Sequence, residues 1–309
     1  MKSLKAFAPA TIANFNVGYD ILGLSLNNIG DEIEFVPNGT DQNKITQILN
    51  GPGLPLEADK NCCSVVVRRM QEALNHFEGV DLKIIKGFNS GSGLGSSSAS
   101  SAAAAFGYNE LIGRPFSNRE LVFFAAEGER VACGSAHTDN VAPSILGGII
   151  LSIGGSAEDL LELPVPENLY AISLFPKIKI KTADSRKILR DEVALNKVTK
   201  QVAYMGAFVQ SLHTNDMNLF SRSLQDLIIE PSRSLLIPKF QEMRKAVMGS
   251  GGLAFGISGS GPSVFAIAEG EVSSKQVLKA LENVYKSEEM SIQTYVNQLA
   301  AKSGARLIK

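Results

Sequence analysis

The stretch Gly91-Ser-Gly-Leu-Gly-Ser-Ser-Ser-Ala-Ser-Ser-Ala-Ala-Ala-Ala constrains the fold more than any other part of this chain. It follows residues 82–86 (LKIIK), which read as a strand, and the small residues from Ser96 onward read as a helix. Glycine lets the backbone approach a ligand and take conformations barred to other residues. A helix starting near Ser96 aims unpaired N–H groups and the positive end of its dipole at whatever lies in front. Together these make an anion site, and phosphate is the usual occupant. Gly91, Ser92, Gly93, Leu94, Gly95, Ser96, Ser97 and Ser98 are therefore the expected phosphate cradle. A flexible turn before a small-residue packing helix is the competing account. Two better-known nucleotide loops do not fit. There is no Gly-Lys-Ser/Thr ending, and Ser96 stands where a dinucleotide loop needs glycine.

A chain of 309 residues is long enough for two domains. Its net charge of -1 gives no electrostatic case for a nucleic-acid or anionic-membrane partner. Cys62, Cys63 and Cys133 are odd in number and two are adjacent, which disfavours a disulfide framework or a zinc site. Free thiols suit a reducing cytoplasm. The opening MKSLKAFAPATIANFN lacks the apolar core of a signal peptide, and no run is long enough to span a bilayer. The expected location is cytoplasmic.

Strands are expected at 3–8, 31–36, 82–86, 147–153, 169–175, 253–258, 263–268 and 304–308. Helices are expected at 62–78, with Val66, Met70, Leu74 and Phe77 along one side, and at 197–213, 216–229 and 273–285. A further helix over 117–133 opens on a capping box, Ser117 and Glu120. The proline-containing LELPVPEN (161–168) marks a boundary, giving domains at 1–165 and 166–309. Strands and helices intermix without strict alternation, so the fold class is α+β.

Three motifs in order carry a family resemblance that covers nearly the whole chain. GSGLGSSSAS (91–100) resembles the phosphate loop of the GHMP kinases, a family named for galactokinase and the homoserine, mevalonate and phosphomevalonate kinases. APATIANFNVGYDILGLSL (8–26) is similar to the first motif of that family, and GISGSGPSVFAI (256–267) to its third. The resemblance implies an N-terminal ATP-binding domain like domain 2 of ribosomal protein S5. It also implies a C-terminal ferredoxin-like domain, an active site between the two, ATP and Mg2+ as cofactors, and a homodimer. One departure is Asn16, where the first motif usually has glycine. Asparagine is the side chain that best tolerates positive φ, so the turn is expected to survive. Tyr19 replaces a common phenylalanine.

The resemblance also implies roles for single residues. In AAEGERVACGSAHTDNVAP (125–143), Glu129 matches a magnesium carboxylate ligand and Ser97 the hydroxyl ligand, although a glutamate on a helix more often faces solvent. His137, Asp139 and Asn140 are candidate substrate contacts. Against that stand a turn role for Asp139 and a structural role for His137. Arg186 in KTADSRKIL and Arg233 in EPSRSLLIP match positions that grip a substrate carboxylate, a task suited to arginine. Asn14 and Asp20 match positions that hold an ammonium, and Thr182 and Gly259 complete the substrate set. Asn61, Ser64 and Lys86 are the adenine-pocket candidates.

The implied reaction converts L-homoserine and ATP to O-phospho-L-homoserine and ADP, a step in threonine biosynthesis. Asn140 stands where mevalonate-type relatives have a catalytic aspartate. A neutral amide positions a hydroxyl but does not take its proton, which leaves Asp139 as an alternative base. Three rivals remain. A mevalonate-type kinase would leave Asp20 without an ammonium. A non-catalytic ligand-sensing relative would usually lose Glu129 or the glycine loop. An RNA-binding module conflicts with the absence of net positive charge.

Overall fold

The computed structural model describes residues 3–134, 136–178, 182–286, 290–302 and 304–309, without the side chains of Cys133, Thr182, Ala183 and Asp184. The first half contains β1 (Leu4–Ala13), β2 (Leu22–Pro37), β3 (Lys44–Leu49), α1 (Cys62–Leu74), β4 (Val80–Ile85) and α2 (Ser96–Leu111). It continues with α3 (Asn118–Cys133), α4 (Thr138–Leu146), β5 (Ile149–Ser152) and β6 (Leu160–Leu163). The second half runs through β7 (Leu169–Pro176), α5 (Thr182–Lys187), α6 (Leu195–Thr214), α7 (Met217–Ser223) and α8 (Glu230–Arg233). After these come α9 (Phe240–Gly249), β8 (Ala254–Ile257), β9 (Val264–Glu269), α10 (Glu271–Tyr285), β10 (Ile292–Gln298) and β11 (Arg306–Ile308).

Two sheets organise these elements. The first has the order β11-β1-β2-β4-β3, with β5 on β2 and β6 on β5. The long β2 serves two neighbours on one edge: Leu22–Leu24 pair with β5, and Glu32–Pro37 pair with β4. The second sheet has the order β10-β7-β9-β8, antiparallel throughout. Strand, helices, two strands, helix, strand in that order is the ferredoxin-like arrangement. The strand at the chain's end forms, but it pairs with β1 in the first sheet. The chain thus returns across the proline-marked boundary.

Side-chain alternation along β9 sends the apolar residues of the strand expected at 263–268 into two different cores. Val264, Ala266 and Ala268 join a core with Met243 and Val247 of α9 and Val277 and Leu281 of α10. Phe265 and Ile267 face a second core that includes Ile12, Leu22, Leu24 and Phe208. A strand buried on both faces has no reason to alternate with polar residues. Phe15 stacks on Phe265 at 5.2 Å between ring centroids and meets Phe208 edge-on at 5.6 Å, so the first motif is anchored into the second sheet. A third core lies between the first sheet and α1, α2, α3 and α4, where Ala102, Ala103, Ala104 and Ala105 are all buried. Both halves therefore share a packed interior, and the loops at their junction are held on rigid supports.

Two expected helices stop early. The one over 62–78 ends at Leu74, because Asn75 takes the left-handed conformation with φ 50° and caps it. Phe77 is then 52% exposed and not on the apolar face. The one over 216–229 ends at Ser223. The Asp226 carboxylate accepts hydrogen bonds from the N–H groups of Ile228, Ile229 and Glu230, offering the backbone an alternative to the helix. The capping box of α3 forms as read, with Ser117 and Glu120 satisfying each other's backbone.

Candidate active site

A cavity of about 950 Å³ opens where the two halves meet. Gly91, Gly93 and Gly95 of the glycine loop line one side, at φ values of 73°, 88° and 67°. Gly95 is the N-cap of α2, and no side chain caps that helix, so its first-turn N–H groups remain for a ligand. The loop is pinned from behind. The Thr11 amide donates to the Leu94 carbonyl at 3.0 Å, the Ser263 amide to the Ser92 carbonyl at 3.0 Å, and the Ser258 hydroxyl to the Gly93 carbonyl at 2.7 Å. Only glycine fits at position 93, where a Cβ would lie 2.7 Å from the Gly261 carbonyl oxygen. The Leu94 side chain is buried in the shared core and does not line the cavity.

Glu129 on α3 reaches the same cavity, 8% exposed, and its Oε1 is buried with no hydrogen-bond partner. Burial pushes its carboxyl up, while the Ser97 and Ser98 hydroxyls and the Lys86 ammonium pull it down. An orphaned carboxylate oxygen beside a serine hydroxyl suits a hard cation. Among the described residues no group of three or more His, Cys, Asp or Glu is arranged to hold a metal. A cation here would depend on Glu129, Ser97 and oxygens of the ligand itself, which fits magnesium. Glu127, by contrast, pairs with Arg130 on the surface at 3.0 Å.

Asn140 and Asp139 sit at the start of α4. The Asn140 Oδ1 accepts from the Thr11 hydroxyl at 2.6 Å, and its Nδ2 donates to Asp139 Oδ1 at 3.4 Å. Asp139 is 5% exposed, and its carboxyl is pushed up to about 7 by burial first, then by the charges of Asp20 and Glu129. Thr11 carries no signal of its own in the sequence beyond its place in the first motif.

Polar and charged groups converge at the far end. Asn14, Phe15 and Asn16 run through three successive left-handed conformations, with φ 70°, 44° and 60°. The Asn14 side chain accepts from the Asp20 amide at 3.0 Å and donates to the Gly259 carbonyl at 3.0 Å. Asn16 holds the positive φ expected of it. Its Nδ2 also donates to the carbonyls of Leu224 and Phe255, a tie that glycine could not make. Buried Arg233 donates to the Gly259 carbonyl at 2.9 Å, the Ser185 carbonyl at 3.3 Å and the Tyr19 hydroxyl at 3.4 Å. Its guanidinium lies 5.1 Å from the Tyr19 ring centre.

Arg186 donates to both carboxylate oxygens of Asp20 at 3.3 Å. The family resemblance implies opposite ends of one ligand for these two residues, and here they pair with each other. Arg186 Nη2 also lies 2.8 Å from His137 Nε2. Since arginine only donates, Nε2 is the acceptor and the imidazole carries its proton on Nδ1. Burial pulls His137 down, in keeping with a neutral ring.

Several expected contacts are placed elsewhere. Asn61 lines the cavity but also caps α1, accepting from the Cys63 amide and donating to the Pro55 carbonyl at 2.8 Å. Ser64 does not line the cavity, because its hydroxyl turns inward to the carbonyls of Ala58 and Asn61. Ser92 is likewise turned inward, accepting from the Leu94 amide. Lys86 lines the cavity wall but is buried against Asp31. Thr182 is the first residue of α5, and its side chain lies outside the described groups. No described helix is long and apolar enough to cross a membrane.

Comparison with known proteins finds relatives over the whole length of the chain. The model of the GHMP kinases N terminal domain matches residues 61–148, and that of the GHMP kinases C terminal matches residues 208–287. A homoserine kinase of Chlorobium phaeobacteroides is 38% identical over the whole of both chains. The crystal structure of a homoserine kinase from Cytophaga hutchinsonii superposes with a TM-score of 0.95 at 39% identity, covering 100% of this chain and 98% of that one. L. major mevalonate kinase in complex with R-mevalonate shares the fold, with a TM-score of 0.68 at 15% identity over 96% of each chain.

Proposed function

From the chain's membership of the GHMP kinase family, which these matches establish, we propose that it transfers the γ-phosphate of ATP to the side-chain hydroxyl of L-homoserine, giving O-phospho-L-homoserine for threonine synthesis. One observation carries the choice of acceptor. Asn14 and Asp20, suited to an ammonium, and Arg186 and Arg233, suited to a carboxylate, line the same cavity as the phosphate loop. A zwitterionic amino acid would replace Arg186 at Asp20 and take the freed guanidinium for its carboxylate. Mevalonate has no ammonium to complete that exchange.

Phosphoryl transfer asks the protein mainly for positioning and charge stabilisation. The N–H groups at the start of α2 would bind phosphate oxygens. Ser97 and Glu129 would hold Mg2+, which supplies positive charge against the β- and γ-oxygens. Asn140, fixed by Thr11, would orient the substrate hydroxyl through its amide. Asn61 would lie at the purine end of the cavity. A second reading gives Asp139 the role of proton acceptor, favoured by a carboxyl that titrates near neutral pH. An ADP-release assay over L-homoserine, L-serine, L-threonine and mevalonate tests the proposal. L-homoserine is expected to be the best acceptor. Comparable turnover with mevalonate would overturn the assignment.

A further inference from the structure

We propose that the buried Asp31–Lys86 pair is a positioning device for the phosphate loop, acting on a bound triphosphate through the first turn of α2 without touching the purine. The inference rests on the nucleotide-binding reading above. Asp31 shares the inward face of β2 with Ile33 and Phe35, and Lys86, just past β4, is in phase with Val80, Leu82 and Ile84 of that strand. The register pairs Glu32 with Ile85, so Asp31 and Lys86 meet across neighbouring strands on the core side. Two charges withdrawn from water are tolerated only when paired and fully hydrogen-bonded.

That condition is met, and the way it is met shows what the pair supports. An ammonium has three donors. Those of Lys86 go to Asp31 Oδ2, to the Ser96 carbonyl at 2.7 Å and to the Ser100 hydroxyl at 2.8 Å. The Ser100 hydroxyl donates to Asp31 Oδ2 at 2.6 Å, and Asp31 Oδ1 accepts from the Gly87 amide at 3.1 Å. The closed network ties β2, the exit of β4 and the first turn of α2 into one unit. Every donor of Lys86 is engaged, so none remains for a base edge. Ser96 and Ser100 straddle the helix turn whose N–H groups face the cavity. The loop before it is pinned at Ser92, Gly93 and Leu94, and Gly95 leads directly into the turn, so the direction of those N–H groups depends on how the turn itself is held. A cation near a helix N-terminus opposes the dipole, and Asp31 offsets it. A polyanion in front of the helix would add to that compensation.

The test separates the two ends of the nucleotide. Lys86→Met, Asp31→Asn and the double variant Asp31→Asn/Lys86→Met are compared with the native protein by thermal unfolding and by calorimetric titration with ATP and, separately, with adenosine. The double variant removes both charges together and is expected to fold even where a single variant leaves one charge buried and unpaired. It is expected to bind ATP about 10- to 100-fold more weakly, as a small misplacement of binding groups can do, with adenosine binding unchanged. Equal losses for ATP and adenosine in the folded double variant, or no loss for ATP, would overturn the brace. A native protein that binds neither ligand would overturn the nucleotide reading itself, and the brace with it.

Discussion

Replacing Asp139 with asparagine is expected to stabilise this protein, by an amount that grows with pH. The carboxyl is 5% exposed and rises from 3.8 to about 7, through burial first and the charges of Asp20 and Glu129 second. In acid below the unfolded value, folded and unfolded chains both carry the proton and the group contributes no difference. As pH rises from there, the unfolded chain loses its proton while the folded chain keeps it, and folded stability falls. Above the folded value the full penalty applies. At 1.36 kcal/mol per unit, a shift of roughly three units amounts to about 4 kcal/mol. Asparagine keeps the shape without the charge. Urea denaturation followed by circular dichroism gives the comparison. The variant is expected to exceed the native protein by about 4 kcal/mol near pH 8 and to match it near pH 3. A difference that does not change with pH, or a loss of stability at the alkaline end, would refute the reasoning. The same variant addresses chemistry. If Asn140 acts by positioning, Asp139→Asn keeps most of kcat and Asn140→Ala loses the larger share. Loss of turnover in a folded Asp139→Asn protein that binds both substrates, with the limb near neutral pH gone from its kcat profile, would make Asp139 the base.

Arg233→Ala is expected to lower kcat/KM for L-homoserine by about 30- to 1,000-fold, the consequence of losing a charge-assisted partner, with KM for ATP nearly unchanged. Normal homoserine kinetics would remove Arg233 from the site. Gly95→Ala places a methyl group against the Thr11 hydroxyl and 2.8 Å from Asn140 Oδ1, at a φ of 67° that itself costs about 1–2 kcal/mol for an L side chain. Turnover is expected to collapse, and ordinary kinetics would show that the loop relaxes without harm. Asn16→Gly restores the residue common in the first motif but strips hydrogen bonds from the Leu224 and Phe255 carbonyls. A stability loss of about 1–3 kcal/mol is expected, and an unchanged melting temperature would show that those bonds contribute nothing.

Much of the site was legible because its geometry is local. The glycine loop, the helix start at Ser96 and the capping box at Ser117 each declare themselves within a few residues, and the structure builds them as written. What escaped depends on groups brought together by the fold. The ion pair between Arg186 and Asp20 joins residues 166 positions apart, and nothing in either string announces it. The early end of α7 needs one carboxylate to reach three backbone amides, which helical periodicity does not report. Asp31 did leave a trace. A carboxylate in phase with Ile33 and Phe35 is misplaced for a solvent face, and a lysine in phase with Leu82 and Ile84 is misplaced in the same sense. Read together, the two anomalies point to each other. Ser64 shows the converse, since a hydroxyl named as an adenine-pocket candidate is used by the nearby backbone and does not face the cavity.

The central claim is that phosphate moves from ATP to the hydroxyl of a zwitterionic amino acid held at the junction of the two halves. Phosphorus NMR of the protein with ATP, magnesium and L-homoserine tests it most directly. The account predicts a phosphomonoester signal that grows in step with ADP and is absent when mevalonate replaces homoserine. ADP accompanied only by inorganic phosphate, or an equal phosphomonoester signal from mevalonate, would contradict it.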